Sequence, residues 1–346
     1  MNHNLKIIHC TDADASAWDA FLGEVSEASF YHLFAWKGIN ERSFGHRCFY
    51  LAAVEGDRFV GVFPIVYVRS LIFGRIMCSM PFVNFGGPCA TGEEAERALL
   101  REAESIVHGH GADYLEIRGT RKVAADLPVS EHKVSMTIDL HPDPGVIWDA
   151  FEKKHRKEIR HAYKQDLRVE HGGAEYLDMF FDILSESWKG LGTPLYDKSY
   201  FRNIFSAFPD SVRIFVVYRG DFPISAAING YYRRCAEGMW LGNRPDSRGL
   251  HPGYVHYWEM IKYGCETGFE KFHLGRSTVD SGGEFFKRKW NAYPTQLYWQ
   301  YILGKRKEIP RLNVDNPKYR LAIDAWKRMP GAVTRSIGPF LSKSIP

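Results

Sequence analysis

Two short stretches constrain this chain more than any other: Gly111-Ala112-Asp113-Tyr114-Leu115 and Gly268-Phe269-Glu270-Lys271-Phe272. They align without a gap, and each leads into a short strand-like run, "ADYLEIRG" and "FEKFHLGR". The grammar before them is also shared. "CFYLAAVEGDRFVGVFPIVYVRS" sets two apolar runs about Glu55-Gly56-Asp57, and "VRIFVVYRGDFPISAAINGYYRR" does the same about Arg219-Gly220-Asp221, which are hairpin signals. Between hairpin and strand lie two helix-like stretches, "GEEAERALLREAESIVHGHG" and "GYVHYWEMIKYGCETG". Hairpin, helix and strand in the same order twice predict a duplicated α/β unit. The join falls near "HPDPGV", where two prolines and a glycine break the periodicity. The expected division is therefore 1–142, 143–305, and a basic amphipathic helical tail over 306–346 that breaks at Pro330.

Length agrees, since 346 residues fill two domains of ordinary size. A net charge of +4 is too small to argue for nucleic acid by itself. The six cysteines (Cys10, Cys48, Cys78, Cys89, Cys235, Cys265) form no C-x-x-C pair and have no histidine at metal-ligand spacing, so free thiols and no metal are expected. No charged start followed by an apolar core marks a signal peptide, and no apolar run reaches the ~20 residues that cross a bilayer. A cytoplasmic protein is expected, with the basic tail offering peripheral contact at the inner face of a membrane.

Chemistry concentrates in "HLGRSTVDSGGEFFKRKW", residues 273–290. Arg276 follows a strand end, where α/β sheets present groups to ligands. Gly282 and Gly283 allow unusual backbone angles, and Lys287 beside Phe286 sets a cation against an apolar wall that strengthens its field. The pattern equally fits Phe285 and Trp290 in a core with the cations reaching outward. As a site it suits an anionic substrate or a developing oxyanion, with Trp290 and Glu284 beside the substrate. Its general base stays open among His273, Asp280, Glu284 and solvent. A second candidate is the cationic helix "EKKHRKEIRHAYK", where Arg156 and Arg160 lie one turn apart as a phosphate-binding fork or on a solvated face. No G-x-S-x-G nucleophile and no H-E-x-x-H metal motif occur.

Several segments together resemble the FemAB-related family. They are "SFYHLFAWKGINERSFGHRCFYLAAVEGDRFVGVFPIVYVRS", "KKHRKEIRHAYKQDLRVE", "WKGLGTPLYDKSYFRNIF" and "FHLGRSTVDSGGEFFKRKWNAYP". Within that family they are similar to the branch associated with exosortase/PEP-CTERM gene clusters. The resemblance implies an α/β (α+β) fold of two tandem GNAT-like domains, each a mixed, mostly antiparallel sheet flanked by helices. It implies acyl or aminoacyl transfer onto an amine of a saccharide, nucleotide sugar or cell-envelope precursor, in exopolysaccharide or envelope biosynthesis. The donor it implies is aminoacyl-tRNA, with acyl-CoA or acyl carrier protein as the alternative, and no tightly bound cofactor or DNA partner. Phe286 and Lys287 match the family's Phe-Lys pair, which supports the acyl-transfer transition state. Tyr200 matches a precursor-binding tyrosine, and Tyr196 stands where that pattern has arginine. His32 replaces the glutamine of a Q-x-x-x-W segment, leaving Trp36 and Lys37 on the acceptor side. The helical coiled-coil arm of some relatives is absent. The GNAT pyrophosphate turn, Q/R-x-x-G-x-G/A, is also missing from "RPDSRGLHPG", which reads as a structural loop. A non-catalytic protein that binds a glycan or a partner is the remaining class.

Overall fold

The structure, a computed structural model, describes residues 5–70, 73–310 and 317–345, with side chains of the last segment from 321 onward. In chain order the first half runs β1 (Leu5–His9), α1 (Ala15–Glu24), α2 (Trp36–Phe44), β2 (Arg47–Glu55), β3 (Arg58–Ser70) and β4 (Gly74–Cys78). It continues through β5 (Cys89–Ala90), α3 (Glu93–Gly109), β6 (Tyr114–Gly119) and β7 (Val129–Asp139). The second half runs α4 (Pro144–Ala150), α5 (Lys153–Tyr163), β8 (Leu167–Gly172), α6 (Leu177–Leu191), α7 (Lys198–Ala207) and β9 (Val212–Arg219). Then come β10 (Phe222–Tyr232), β11 (Cys235–Asn243), α8 (Pro252–Glu266), β12 (Lys271–Thr278), α9 (Gly282–Arg288), β13 (Tyr293–Leu303), α10 (Pro317–Arg328) and α11 (Gly331–Ser342).

These elements form two compact units, residues 1–133, 296–311 and 343–346, and residues 134–295 and 312–342. The division departs from the expected 1–142 and 143–305 because strand segments near each expected limit join the other unit. Residues 298–303 of β13 pair antiparallel with β6 in the first unit, while residues 134–139 of β7 lie in the second. Strand order in the first unit is β1-β2-β3-β4-β6-β13, and in the second β7-β12-β11-β10-β9-β8.

The predicted grammar appears in both units. The β2–β3 and β9–β10 hairpins turn at Gly56 (φ 60°) and Gly220 (φ 56°), in the left-handed region that a Cβ disfavours. The two aligned glycines share one physical role. Gly111 (φ 58°) follows the end of α3 and Gly268 (φ 82°) the end of α8, so each is a left-handed helix terminator aiming the chain into its strand. The crossover then returns parallel, β6 beside β4 and β12 beside β11.

In the first unit α3 places Leu99, Ala103, Ile106 and Val107 at three- and four-residue spacing onto Phe63, Ile65, Leu115 and Ile117. On another cluster Trp18, Phe21 and Leu22 of α1 meet Tyr50 and Val62. In the second unit Ile159, Val255 and Ile261 pack with Phe215, Phe272, Leu274 and Trp290. Burying a side chain of this size contributes roughly 1.5–3 kcal/mol. The tail expected from 306 is partly described, residues 311–316 lying outside the described residues. Its helices break at Pro330 as expected. Ser342 Oγ donates to the Leu195 carbonyl at 3.1 Å, and Trp326 is buried. Among the described residues no helix is long and apolar enough to cross a membrane.

Candidate active site

The site candidate grows from a departure from regular pairing. Strands β11 and β12 are in parallel register at Cys235↔Lys271, Ala236↔Phe272 and Glu237↔His273, yet they run on to Asn243 and Thr278 beyond that register. Two features drive them apart. Against β10 the register shifts between Ile228↔Trp240 and Asn229↔Gly238, a bulge that bends β11. On β12, Gly275 takes φ 79°. The vertex favours a glycine, since a Cβ on Gly238 would lie a tight 3.1 Å from the His273 carbonyl oxygen.

Past this vertex stands Lys287. Its Nζ donates to the carbonyls of Gly275 and Arg276, each at 2.9 Å. Consecutive carbonyls of a regular strand point to opposite edges; the positive φ of Gly275 breaks that alternation so that one ammonium reaches both. An ammonium has three donors, and two are used here. Burial, with the charge of Arg276 adding to it, pushes the Lys287 pKa down to about 8. Lys287 is thus a buried, oriented cation, not one reaching outward.

Short helix α9 holds it there. Ser281 Oγ accepts from the Glu284 N–H at 3.3 Å, and Glu284 Oε2 accepts from the Asp280 N–H at 2.8 Å. Arg288 donates to Glu284 Oε1 at 2.6 Å. Glu284, expected beside the substrate, is instead a buried cap with both oxygens engaged. Nor do Gly282 and Gly283 supply unusual angles; they form the first turn of α9, and the left-handed residues are Gly275 and Asp280 (φ 59°). Phe286 packs against Tyr254 and Tyr257, ring centroids 5.5 Å away in each case. Trp290 is fully buried, edge-on to His155 at 4.4 Å, which makes it core. Burial and nearby Lys289 lower the His155 pKa to about 4. A cavity of about 580 Å³ opens among Lys154, His155, Glu158, Phe285 and Arg288, with Phe285 exposed at its edge and Lys287 absent from its lining.

The other expected residues separate into groups. Tyr196 and Tyr200 meet at 5.1 Å, and Tyr200 reaches Trp240 on the bulged part of β11 at 5.7 Å. The fork of Arg156 and Arg160 does not form, because Arg156 pairs with Asp149 at 3.2 Å and Arg160 lies over the Trp148 ring. His32, Trp36 and Lys37 belong to the first unit. The His32 Nε2–H donates to the Gly87 carbonyl and its Nδ1 accepts from the Ser29 N–H, so both ring nitrogens serve the fold, and burial lowers its pKa to about 4. Trp36 donates to the Phe30 carbonyl, and Lys37 pairs with Asp12 and Glu41.

Sequence reasoning missed Glu237 and Cys235. Glu237 is 1% exposed, its Oε1 lies 2.8 Å from His273 Nδ1, and its Oε2 has no partner. Burial opposes a charge on His273, yet Glu237 and Cys235 outweigh it and raise the pKa to about 11. The pairing with Glu237 favours the protonated form of His273 and so makes it a poor general base. Cys235 Sγ sits 3.7 Å from both ring nitrogens. Sequence spacing, which showed no histidine at metal-ligand distance from a cysteine, does not reveal this pair because parallel pairing joins residues far apart in the chain. The available signal was "CAE", a carboxylate and a thiol on one face of a strand.

Comparisons with known proteins bear on the fold. Residues 150–288 match the family model described as "Acetyltransferase (GNAT) domain". FemX, as a crystal structure, superposes with TM-score 0.66 at 16% identity, over 92% of this chain and all of that one. The C-terminal domain of a putative lysylphosphatidylglycerol synthetase from Agrobacterium fabrum gives 0.55 at 14%, covering 90% and 96%. A tandem GNAT protein from the clavulanic acid biosynthesis pathway gives 0.56 at 11%, covering 88% and 100%. No curated protein matches the sequence. Mixed, mostly antiparallel strands flanked by helices in each unit, with residues 150–288 carrying the matched acetyltransferase domain, make this a tandem GNAT-like α/β fold.

Proposed function

We propose that the protein is an acyltransferase that moves an acyl or aminoacyl group from an activated ester or thioester onto an amine. The observation that carries this reading is the buried ammonium of Lys287, held by two strand carbonyls beside the splayed pair β11 and β12, with one N–H left for a ligand. In the reaction the amine nitrogen attacks the donor carbonyl carbon and forms the new C–N bond. Negative charge gathers on the carbonyl oxygen, where the third N–H of Lys287 stabilises it. The C–O or C–S bond to the leaving group then breaks, and the proton lost by the amine leaves with that oxygen or sulfur. Phe286, packed on Tyr254 and Tyr257, keeps α9 seated so that the ammonium stays in place.

The resemblance to FemX and to a lysylphosphatidylglycerol synthetase domain supports an aminoacyl group carried by tRNA. The match to a GNAT acetyltransferase domain supports acyl-CoA as the second reading. The acceptor we favour is an amine of a saccharide, nucleotide sugar or envelope precursor, made into exopolysaccharide or envelope. Leu321 and Phe340, 71% and 69% exposed on the tail helices, support work at the inner face of a membrane.

The test offers aminoacyl-tRNA and acetyl-CoA separately with a panel of amino sugars and their nucleotide-linked forms, and follows product mass. Lys287→Ala should lower transfer about 10²–10³-fold with folding unchanged, and Lys287→Arg should restore part of it. Equal turnover by wild type and Lys287→Ala overturns the reading. Tight glycan binding without transfer from either donor points instead to a binding protein.

A further inference from the structure

We propose that Cys235, Glu237 and His273 form a binding site for a divalent transition-metal ion of the zinc class. The topology builds the cluster. Glu237 and His273 are direct register partners across β11 and β12, and Cys235 lies two residues before Glu237, on the same face of its strand. Their ligand atoms all lie within 4.8 Å of one another, and no other such group of three occurs among the described residues. One sulfur, one imidazole nitrogen and one carboxylate oxygen are donors that zinc accepts in proteins.

The second observation is Glu237 Oε2. A carboxylate oxygen on a side chain 1% exposed, with no hydrogen-bond partner, is costly to keep. The ion pair with His273 accounts for Oε1 and leaves Oε2 unexplained; a cation at the cluster accounts for it. Distances suit this. Tetrahedral bonds of about 2.3 Å to sulfur and 2.0–2.1 Å to nitrogen set sulfur and nitrogen about 3.5 Å apart. Cys235 Sγ stands 3.7 Å from both ring nitrogens, off both lone-pair directions, so the His273 ring or the Cys235 side chain must turn for one ion to reach sulfur and nitrogen together. His273 Nδ1 and Glu237 Oε1, 2.8 Å apart, must open by about 0.5 Å as the ion replaces the shared proton, or Glu237 must turn Oε2 inward. The side chain of His273 is 22% exposed, which provides a way in. Three protein ligands leave a fourth position for water or for a donor atom of a substrate.

The test uses the full chain, treated with a chelator and then titrated with Zn²⁺ against a chromophoric chelator, and separately with Co²⁺. One ion per chain is expected, bound at micromolar concentration or tighter. The Co²⁺ form should show a thiolate charge-transfer band and the visible bands of a four-coordinate ion. Cys235→Ser, nearly isosteric, should weaken binding at least tenfold and remove the charge-transfer band, while circular dichroism stays unchanged. His273→Gln should weaken binding similarly. No Zn²⁺ bound at tens of micromolar, or binding that survives both substitutions, overturns the proposal.

Discussion

The two units carry the same vertex with opposite contents. In the first, the parallel pair β4 and β6 ends its register at Cys78↔Glu116; in the second, β11 and β12 end theirs at Glu237↔His273. The gapless alignment that matches Gly111 with Gly268 also sets Glu116 against His273 and Arg118 against Gly275. The first vertex is filled. Arg118 donates to Glu116 Oε1 at 2.7 Å, Tyr301 donates to Oε2 at 2.9 Å, and both carboxylate oxygens are satisfied. Backbone closes the remaining space: Ser79 N–H donates to the Glu116 carbonyl and Gly86 N–H to the Arg118 carbonyl. The second vertex has a glycine where the first has arginine, a carboxylate oxygen with no partner, and a buried ammonium beside it. One duplicated frame therefore serves as support in one copy and as a candidate reaction centre in the other. The difference is local: Arg118 supplies the counter-charge of Glu116 and lies over the Trp299 ring, whereas Gly275 at the aligned position has no side chain.

The largest expected effect separates the two carboxylates. Glu116→Gln leaves the buried Arg118 charge without its counter-charge, and arginine cannot shed its proton, so stability should fall by roughly 3–5 kcal/mol. Glu237→Gln should cost less than about 2 kcal/mol, because His273 can release its proton when its partner is neutralised. Urea unfolding of both variants measures this, and equal losses would break the comparison.

Next comes the pH dependence of transfer. In the proposed reaction the working form of Lys287 is the ammonium, and its pKa is depressed from 10.5 to about 8. Activity should therefore be lost as pH rises through about 8, and at pH 9 it should stand about tenfold below its plateau. Lys287→Arg should lose this limb, since a guanidinium keeps its proton throughout. A wild-type profile flat to pH 10 argues against a working ammonium.

The smallest effect concerns two glycines. A Cβ at Gly238 would lie 3.1 Å from backbone oxygen of His273, whereas at Gly87, beside the first vertex, its nearest contact is an ordinary 3.6 Å. Gly238→Ala should cost about 1 kcal/mol and Gly87→Ala less than about 0.5 kcal/mol by thermal unfolding.

Much of the fold was legible because it is written in local signals. Hairpin glycines, helix periodicity and the two terminating glycines placed each repeated element, and Pro330 broke the tail where expected. The strands at the join were not legible, since pairing partners of β7 and β13 are chosen by sheet geometry that leaves no local mark. For the site, the run from 273 to 290 drew notice to Lys287, whose ammonium meets the Gly275 and Arg276 carbonyls beside the vertex, and to Phe286, which packs on Tyr254 and Tyr257 instead. The same run misled over Gly282, Gly283, Glu284 and Trp290, because a helix start, a cap and a core tryptophan use the same residue types as a binding loop.

By itself, then, the sequence determined a twofold repeat of hairpin, helix and strand, with a Phe-Lys pair behind the last crossover, because backbone angles and burial periodicity are encoded residue by residue. Only the tertiary structure decided that Lys287 turns inward onto the Gly275 and Arg276 carbonyls, and that Cys235, Glu237 and His273 meet. Both depend on where two strands separate, a matter of bulges and packing across the sheet and not of any single segment.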